Sequence, residues 1–456
     1  MKPNFSKFKE IIEKIDRKTD LFGISCSFTK EWENYKSLIN ALKAEFPDVP
    51  IACGGEHVTA SPTFSMDECE AIDYIIQGEG EETIVELINA LNEGVDLAEV
   101  SGIVFRKKGE IITNQRRERL TDINEIPLPA WDLFPIRRYV DQGKSFGVNR
   151  GRSMPIIASR GCPYSCTFCS SYNMWTTRWL ARTPENVIEE IKKYIQEYNA
   201  TNFDFYDLTA IVKREWVIDF CKLLQKNQLQ ITWQLPSGTR SEAIDREVCS
   251  YLYRSGCKNI SYSPESASPR ILRKIKKKIS VDKLTESIKS ALKERLNVKV
   301  NIIFGFPDET HRDILVNLAY IFKLALIGVH DLAIWAFAPY PGSELFNDLL
   351  GQGKIKKFDD NYISSLIYSE FNQNISWNDN MSVGWINFYR KIGMLLFYLT
   401  NYSVRPMRGV KIITNIIKSK EDSRIEKFIL DILKSKLKKW GLLFRGKSTI
   451  DKHHTS

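Results

Sequence analysis

Three cysteines stand within eight residues, in the run SRGCPYSCTFCSS, at the spacing Cys162-x3-Cys166-x2-Cys169. One loop carrying three thiolates so close together can wrap a single metal centre. An iron–sulfur cluster of the 4Fe–4S type normally takes four thiolates, so three leave one iron with an open position. A small molecule can bind at such a position. A structural zinc site would need a closed set of four ligands, usually as two paired clusters. No fourth ligand has matching spacing, because the nearest histidines are His57 and His311, in other segments. The other cysteines (Cys26, Cys53, Cys69, Cys221, Cys249 and Cys257) stand singly in apolar patterns. They read as buried small side chains and not as a disulfide framework.

The elements that must position this loop follow from hydrophobic patterning. Strand candidates at 155–160, 202–207, 231–240, 259–266, 298–307 and 331–341 alternate with helical stretches. Six βα units in about 190 residues argue for a partial barrel, which places its chemistry at the C-terminal ends of its strands. The cysteine run follows the first of these strands. Residues 19–115 alternate as well, with strands at 21–27, 49–55 and 71–82 and helices at 34–46 and 83–94. A hairpin at 101–114 turns at Lys108-Gly109. Alternation of this kind implies a parallel sheet covered on both faces. The expected fold class is therefore α/β: an N-terminal partial Rossmann-like sheet, a partial (β/α)6 TIM-like barrel, and a mainly helical C-terminal region. The expected boundaries are 1–122, a Pro-rich linker at 123–152, the barrel at 153–346, and a basic helical region at 347–456.

The Cys-x3-Cys-x2-Cys loop, with Phe168 before its last cysteine, resembles the radical S-adenosylmethionine superfamily. Later segments agree in order: FYD (205–207), SGTR (237–240), SPESAS (263–268), IIFGFPDET (302–310) and APYPGSELF (338–346). The resemblance covers about 155–346. It implies that a cluster held by Cys162, Cys166 and Cys169 reduces S-adenosylmethionine to methionine and a 5′-deoxyadenosyl radical, which takes hydrogen from a substrate. It further implies S-adenosylmethionine contacts from Phe168, Asp207, Arg240, Ser263, Glu265, Gly305 and Pro307. An external electron donor, such as a flavodoxin or ferredoxin, is implied too.

The pieces FGISCS (22–27), CGGEHVTASP (53–62) and DYIIQGEGEE (73–82) resemble the cobalamin-binding domain that precedes the barrel in one branch of the superfamily. Gly54, Gly55, His57, Gly78 and Gly80 are the cobalamin contacts this resemblance implies. The full domain of that branch carries two more strands ahead of these pieces, for which the residues before 20 leave no room. It also carries a DxHxxG segment, absent here, that supplies a cobalt-binding histidine in some relatives; His57 reads as a locally hydrogen-bonded side chain instead. The implied reaction is cobalamin-dependent C-methylation or oxidative cyclisation. The alternatives are a radical enzyme without cobalamin, including the RNA methylthiotransferase type, and a non-catalytic metal-binding scaffold.

Composition is that of an ordinary globular chain, 43% apolar and 27% charged. No run is long and apolar enough for a membrane span, and the N-terminus lacks the apolar core of a secretory signal, so a cytoplasmic protein is expected. The net charge is +9, and residues 405–456 alone, with 14 Lys/Arg against 5 Asp/Glu, account for all of it. The stretches 385–399 and 428–445 combine apolar and basic residues, including Phe428, Ile429, Ile432, Leu433, Leu437 and Leu442. Helices packed on the barrel with a charged outer face are the plain expectation; peripheral contact with an anionic membrane is the other. No RNA-binding module accompanies the charge, so nucleic acid is not an expected partner. The expected substrate is a small molecule, with Tyr172, Trp175, Trp179 and Trp335 compatible with an apolar one.

Overall fold

The computed structural model describes residues 5–366 and 375–439. Its N-terminal part opens with α1 (Phe5–Ile12), β1 (Phe22–Ser25), α2 (Trp32–Glu45), β2 (Ile51–Gly54), α3 (Glu56–Ala60) and α4 (Pro62–Glu68). β3 (Tyr74–Ile76), α5 (Glu81–Glu93), β4 (Ile103–Lys107) and β5 (Glu110–Thr113) follow. The sheet order is β1-β2-β3-β4-β5. The first three strands are parallel, and the hairpin joins antiparallel. Cys26, Cys53 and Cys69 are buried in its core with Trp32, Ile51 and Ile75.

The segment expected as a linker is partly ordered. It forms a short helix, α6 (Ile136–Asp141), and then runs beneath the next sheet. That sheet is laid down by β6 (Ser153–Ile156), after which come β7 (Ser159–Arg160), α7 (Ser171–Trp175), β8 (Leu180–Ala181), α8 (Pro184–Tyr198) and β9 (Asn202–Phe205). The alternation continues with α9 (Arg214–Lys226), β10 (Thr232–Thr239), α10 (Arg246–Arg254), β11 (Cys257–Glu265), α11 (Pro269–Lys274) and α12 (Val281–Lys293). It ends with β12 (Asn297–Phe304), α13 (His311–Ile327), β13 (Asp331–Ala336), α14 (Glu344–Gly351) and α15 (Asp360–Ser364). Six strands form one parallel sheet in the order β13-β12-β11-β10-β9-β6, the partial barrel expected.

Alternation along each strand sorts the side chains. Met154, Phe203, Trp233, Tyr262, Val300 and Ile334 pack outward against the helices as one core. Their neighbours Pro155, Asp204, Gln234, Ser261, Asn301 and Trp335 therefore point into the lumen.

The lumen is plugged at its lower end. Gly147 donates its N–H to Asp204 (2.8 Å), and Gln234 donates to the Val148 carbonyl (2.8 Å). Arg150 pairs with Asp422 at 2.7 Å. Three C-terminal helices, α16 (Val383–Val404), α17 (Pro406–Ile417) and α18 (Arg424–Lys439), complete the described chain. The start of α18 lies beneath the sheet, where Asp331 accepts the Arg424 and Ile425 N–H groups at 2.8 and 3.2 Å. α16 packs on α13 and β13 with Ile386, Arg390, Gly393, Phe397 and Asn401 buried. At Gly393 a Cβ would meet Ile334 Cδ1 at 2.6 Å, so glycine sets how closely this helix lies on the barrel. The side chains of Leu437 and Leu442 lie outside the described residues.

Candidate functional site

The cysteine loop leaves the barrel earlier than its sequence suggests. The strand expected over 155–160 stops at Ile156. Beyond it, Ser159 and Arg160 pair antiparallel with β8 instead. The cause is Asp207, at the end of the next strand. Its buried carboxylate accepts the Ala158 N–H (3.2 Å) and the Ser159 hydroxyl (2.5 Å), turning the chain at the root of the loop. Burial pushes the Asp207 carboxyl up to about 6 against these donors. The loop is then pinned through Thr167, which donates its N–H to Ile275 (3.1 Å) and accepts from Leu345 (2.9 Å).

Cys162, Cys166 and Cys169 are half-buried free thiols, whereas the other six cysteines are buried in the cores. Thr209 donates to Cys162 at 3.6 Å, and Ser171 lies 3.0 Å from the Cys169 sulfur. Burial pushes the Cys169 thiol up to about 11 and raises Cys166, whose neighbours Lys277 and Arg240 pull the other way. A metal centre binds the thiolate, so its assembly displaces the proton from each of these thiols. Among the described residues no three Cys, His, Asp or Glu side chains converge as a single-ion site. Three cysteines bonded to three different irons of one cluster need not converge in that way. This set of three free thiols, with Lys277 and Arg240 beside Cys166, fits a 4Fe–4S cluster.

Around the loop the later motifs assemble at the upper ends of the strands. Arg240 is buried; its guanidinium stacks 3.6 Å from the Tyr164 ring and pairs with Glu242 at 2.7 Å. Its Nη1 is buried and has no hydrogen-bond partner among the described residues. Glu265 holds a left-handed backbone, φ 65°, and pairs at 3.2 Å with Lys277, which lies over the Phe168 ring. Ser263 accepts from Asn301 (3.0 Å), whose own Oδ1 is buried and unpartnered among the described residues. At Gly238 a Cβ would run into the Ser263 side chain. Two orphaned polar atoms of opposite sense, a guanidinium nitrogen and an amide oxygen, fit a ligand carrying both carboxylate and donor groups.

The loop 305–310 is held by a residue the sequence reading passed over. Glu309 is fully buried and accepts the Gly305 N–H (2.6 Å) and the Asn317 amide (3.2 Å), and burial pushes its carboxyl up to about 8. Gly305 has φ 90°, open to glycine and strained for other residues. The Pro307 carbonyl is taken by Asp379 N–H at 2.8 Å, so this loop is braced from the C-terminal region.

The N-terminal sheet meets the cysteine loop edge on. A cleft of about 360 Å³ is lined by Ser27–Lys30, Glu56 and Ala60 from that sheet, by Phe168 and Ser170, and by Ile303, residues 335–338, Tyr340 and Pro341 from the barrel. Ser170 donates to Glu56 at 2.9 Å. Gly55, at φ 105°, lets the turn after β2 lie against the Cys26 carbonyl, where a Cβ would be 3.0 Å away. Gly54 borders Ile76. Gly78 and Gly80 flank Glu79, which is buried and accepts from Arg119 (3.0 Å) and Arg160 (3.1 Å). This loop thus braces the root of the cysteine loop. His57 does not line the cleft. It is buried on α3, its ring 4.7 Å from Trp32 and its Nδ1 3.2 Å from Thr29 Oγ1. Desolvation lowers it to about 4. The loops at the C-terminal ends of β1 and β2 thus open on the cleft, where open α/β sheets bind their ligands, and they bring no histidine to its lining.

Glu309, Lys277, Ser170 and the Arg119–Glu79–Arg160 bridge went unread in the sequence. The ET pair at 309–310 and the acidic residue between Gly78 and Gly80 were the available signals.

Comparison with known proteins agrees with this geometry. The radical SAM superfamily profile matches residues 156–321, and the B12-binding domain profile matches residues 2–88. An uncharacterized methyltransferase of Pyrococcus horikoshii, PH0819, is 33% identical over 343 residues, covering 75% of this chain and 71% of that protein. The anaerobic magnesium-protoporphyrin IX monomethyl ester cyclase of Rubrivivax gelatinosus is 25% identical over 77% of this chain and 62% of its own length. Among solved structures, the radical S-adenosylmethionine methyltransferase TsrM from Kitasatospora setae, with cobalamin and a 4Fe–4S cluster bound, matches at TM-score 0.59 and 16% identity. That match covers 76% of this chain and 66% of that one.

Proposed function

Because the chain belongs to the radical S-adenosylmethionine superfamily, in the branch that carries a B12-binding domain, we propose that it is a cobalamin-dependent C-methyltransferase acting on a small, largely apolar substrate. The observation that carries this reading is the cleft in which the cysteine loop, the strand ends of the barrel and the β1 and β2 loops meet.

Cys162, Cys166 and Cys169 would hold the cluster. When bound, the cluster with S-adenosylmethionine and cobalamin would supply radical hydrogen abstraction and methyl transfer. The chain's own residues position and shield. Arg240 offers Nη1 to a carboxylate. Ser263, Glu265 and Asn301 present polar atoms to the ribose side, and Gly305 and Pro307 present backbone to the adenine side. Asp207 acts through the loop it turns and not through a ligand. Phe168, Ile303 and Trp335 give the cleft apolar walls that exclude water from a carbon-centred radical. Gly54 and Gly55, with Glu56 and Ala60 beside them, form the face toward the corrin; Gly78 and Gly80 support that face through Glu79. The proposed division of the chain is 1–122, 123–152, 153–346 and 347–456, and its reductant a flavodoxin or ferredoxin. No helix among the described residues is long and apolar enough to cross a membrane.

The test is anaerobic reconstitution with iron and sulfide, then S-adenosylmethionine and a strong reductant, with and without cobalamin. 5′-Deoxyadenosine that vanishes in Cys166→Ala, with S-adenosylhomocysteine made only when cobalamin is present, is the expected outcome. Cleavage that persists without all three cysteines would overturn the assignment. Nucleoside products indifferent to cobalamin would overturn methyl transfer.

A further inference from the structure

The outer faces of α16–α18 carry apolar side chains that the described residues leave more than a third exposed. On α16, Trp385, Phe388, Ile392, Leu395 and Leu399 are exposed at alternating spacings of three and four, a single stripe opposite the buried face. On α17 the exposed set is Met407, Val410, Ile413 and Ile417, and Met407 and Ile417 are 73% and 78% exposed. Phe428 and Ile432 are exposed on α18. Isolated exposed leucines mean little, but helices apolar on their solvent side mark an interaction surface.

Charge identifies the occupant. Between Arg405 and Lys439 the acidic residues are Glu421, Asp422, Glu426 and Asp431. The first three are buried and engaged inward: Glu421 with the Asn149 N–H, Asp422 with Arg150, and Glu426 with the Asp422 and Ser423 N–H groups. Lys411 and Lys420 reach Asp422 at 2.9 and 4.0 Å yet stay more than 60% exposed, Lys418 between them is exposed, and the 11 Lys/Arg of residues 405–439 outnumber their 4 Asp/Glu. A second copy of the chain would bring two such basic sets together with little acid to pair them. A surface rich in anionic headgroups complements them, and its acyl layer accepts the stripes.

We infer that the α16–α18 face rests on the surface of a bilayer containing anionic phospholipid, the helices lying in the interface and not crossing it. The barrel is thereby held beside the membrane, where apolar substrates are concentrated. The inference is independent of the reaction proposed above.

The test is co-sedimentation of the full chain with vesicles of phosphatidylcholine alone, and with vesicles in which about a third is phosphatidylglycerol. Binding to the anionic vesicles only, weakened by added salt and reduced about tenfold in Ile413→Glu/Ile417→Glu, is expected. Circular dichroism and iron content check that this variant folds. A Lys418→Glu/Lys420→Glu variant gives the same reading if it does not. Failure of the unaltered chain to bind anionic vesicles, or binding that both variants keep, would overturn the inference. A concentration-dependent dimer abolished by the same changes, without vesicle binding, would assign the face to a second copy instead.

Discussion

Ser170, next to Cys169, donates its hydroxyl to Glu56 at 2.9 Å, joining the cysteine loop to the helix that follows β2. The bond spans 114 residues of chain and lies on the wall of the cleft between the two sheets. Burial raises the Glu56 carboxyl, and the Ser170 hydroxyl partly offsets that. The residue beside the cluster and the cleft-facing turn of the N-terminal sheet are therefore one hydrogen-bonded unit.

Removing that tie weakens the join between the two halves without touching a cluster ligand. Ser170→Ala is expected to keep its iron while losing about 1 kcal/mol of stability, the value of a typical hydrogen bond. Thermal unfolding and iron assay check it. An unchanged melting temperature would mean that the bond contributes nothing in solution.

Arg240 separates ligand binding from cluster assembly. Arg240→Gln loses the buried positive charge and the stacking on Tyr164. The expected effect is a KM for S-adenosylmethionine raised about 10- to 100-fold, corresponding to about 1.4–2.8 kcal/mol, with iron content unchanged. A fall in kcat alone would argue against a binding role.

Acid should destabilise the fold through two desolvated histidines, His57 and His330. Desolvation lowers His57 to about 4 and His330 to about 3. Both stay neutral when folded and take a proton when unfolded. The stability they support is complete above the unfolded value of about 6.5 and falls as pH drops below it, by at most about 1.4 kcal/mol per unit per histidine. Urea titrations at pH 7 and pH 5 measure the slope, and His330→Gln should flatten it. A variant with the original slope would show that other groups set the acid limit.

His57→Gln should leave the spectrum of bound cob(II)alamin unchanged, because the ring is packed on Trp32 away from the cleft. An altered electron paramagnetic resonance signal in this variant would place His57 on the metal.

Gly238 tolerates no side chain. Its Cβ would run into Ser263, so Gly238→Ala must displace β11 or the SGTR turn. A loss of about 1–3 kcal/mol, the usual range for overpacking, is expected in denaturant unfolding. An equally stable variant would show that the turn moves freely.

Much of this was legible before any coordinates, for physical reasons. Each barrel strand buries one face against helices, so Phe203, Trp233 and Val300 recur at period two and announce themselves. The single cysteines, Cys221 and Cys257 among them, sat inside those same patterns. Side-chain bonds between distant segments leave no period. Asp207 reads as a strand-end acid, yet its oxygens reach back to Ala158 and Ser159 and end β6 early. Glu309 belongs to a recognisable motif, yet its service to Gly305 depends on a burial that composition does not display. The stretch 144–150 lacks periodicity because it is fastened by Asp204, Gln234 and Asp422, one contact at a time.

The fastening of Arg150 to Asp422 also has a bearing on how the molecule comes into being. The two residues are 272 positions apart. All six barrel strands and the cysteine loop leave the ribosome before the second of them is made. The C-terminal clasp beneath the floor of the barrel is thus the last piece installed, and contacts so remote in sequence form slowly. During that interval residues 147–148 plug the base of the nascent barrel without the clasp beneath them, and chains shortened before 422 would never gain it. Such chains should show their damage as slow assembly and aggregation, with their cysteine loop intact.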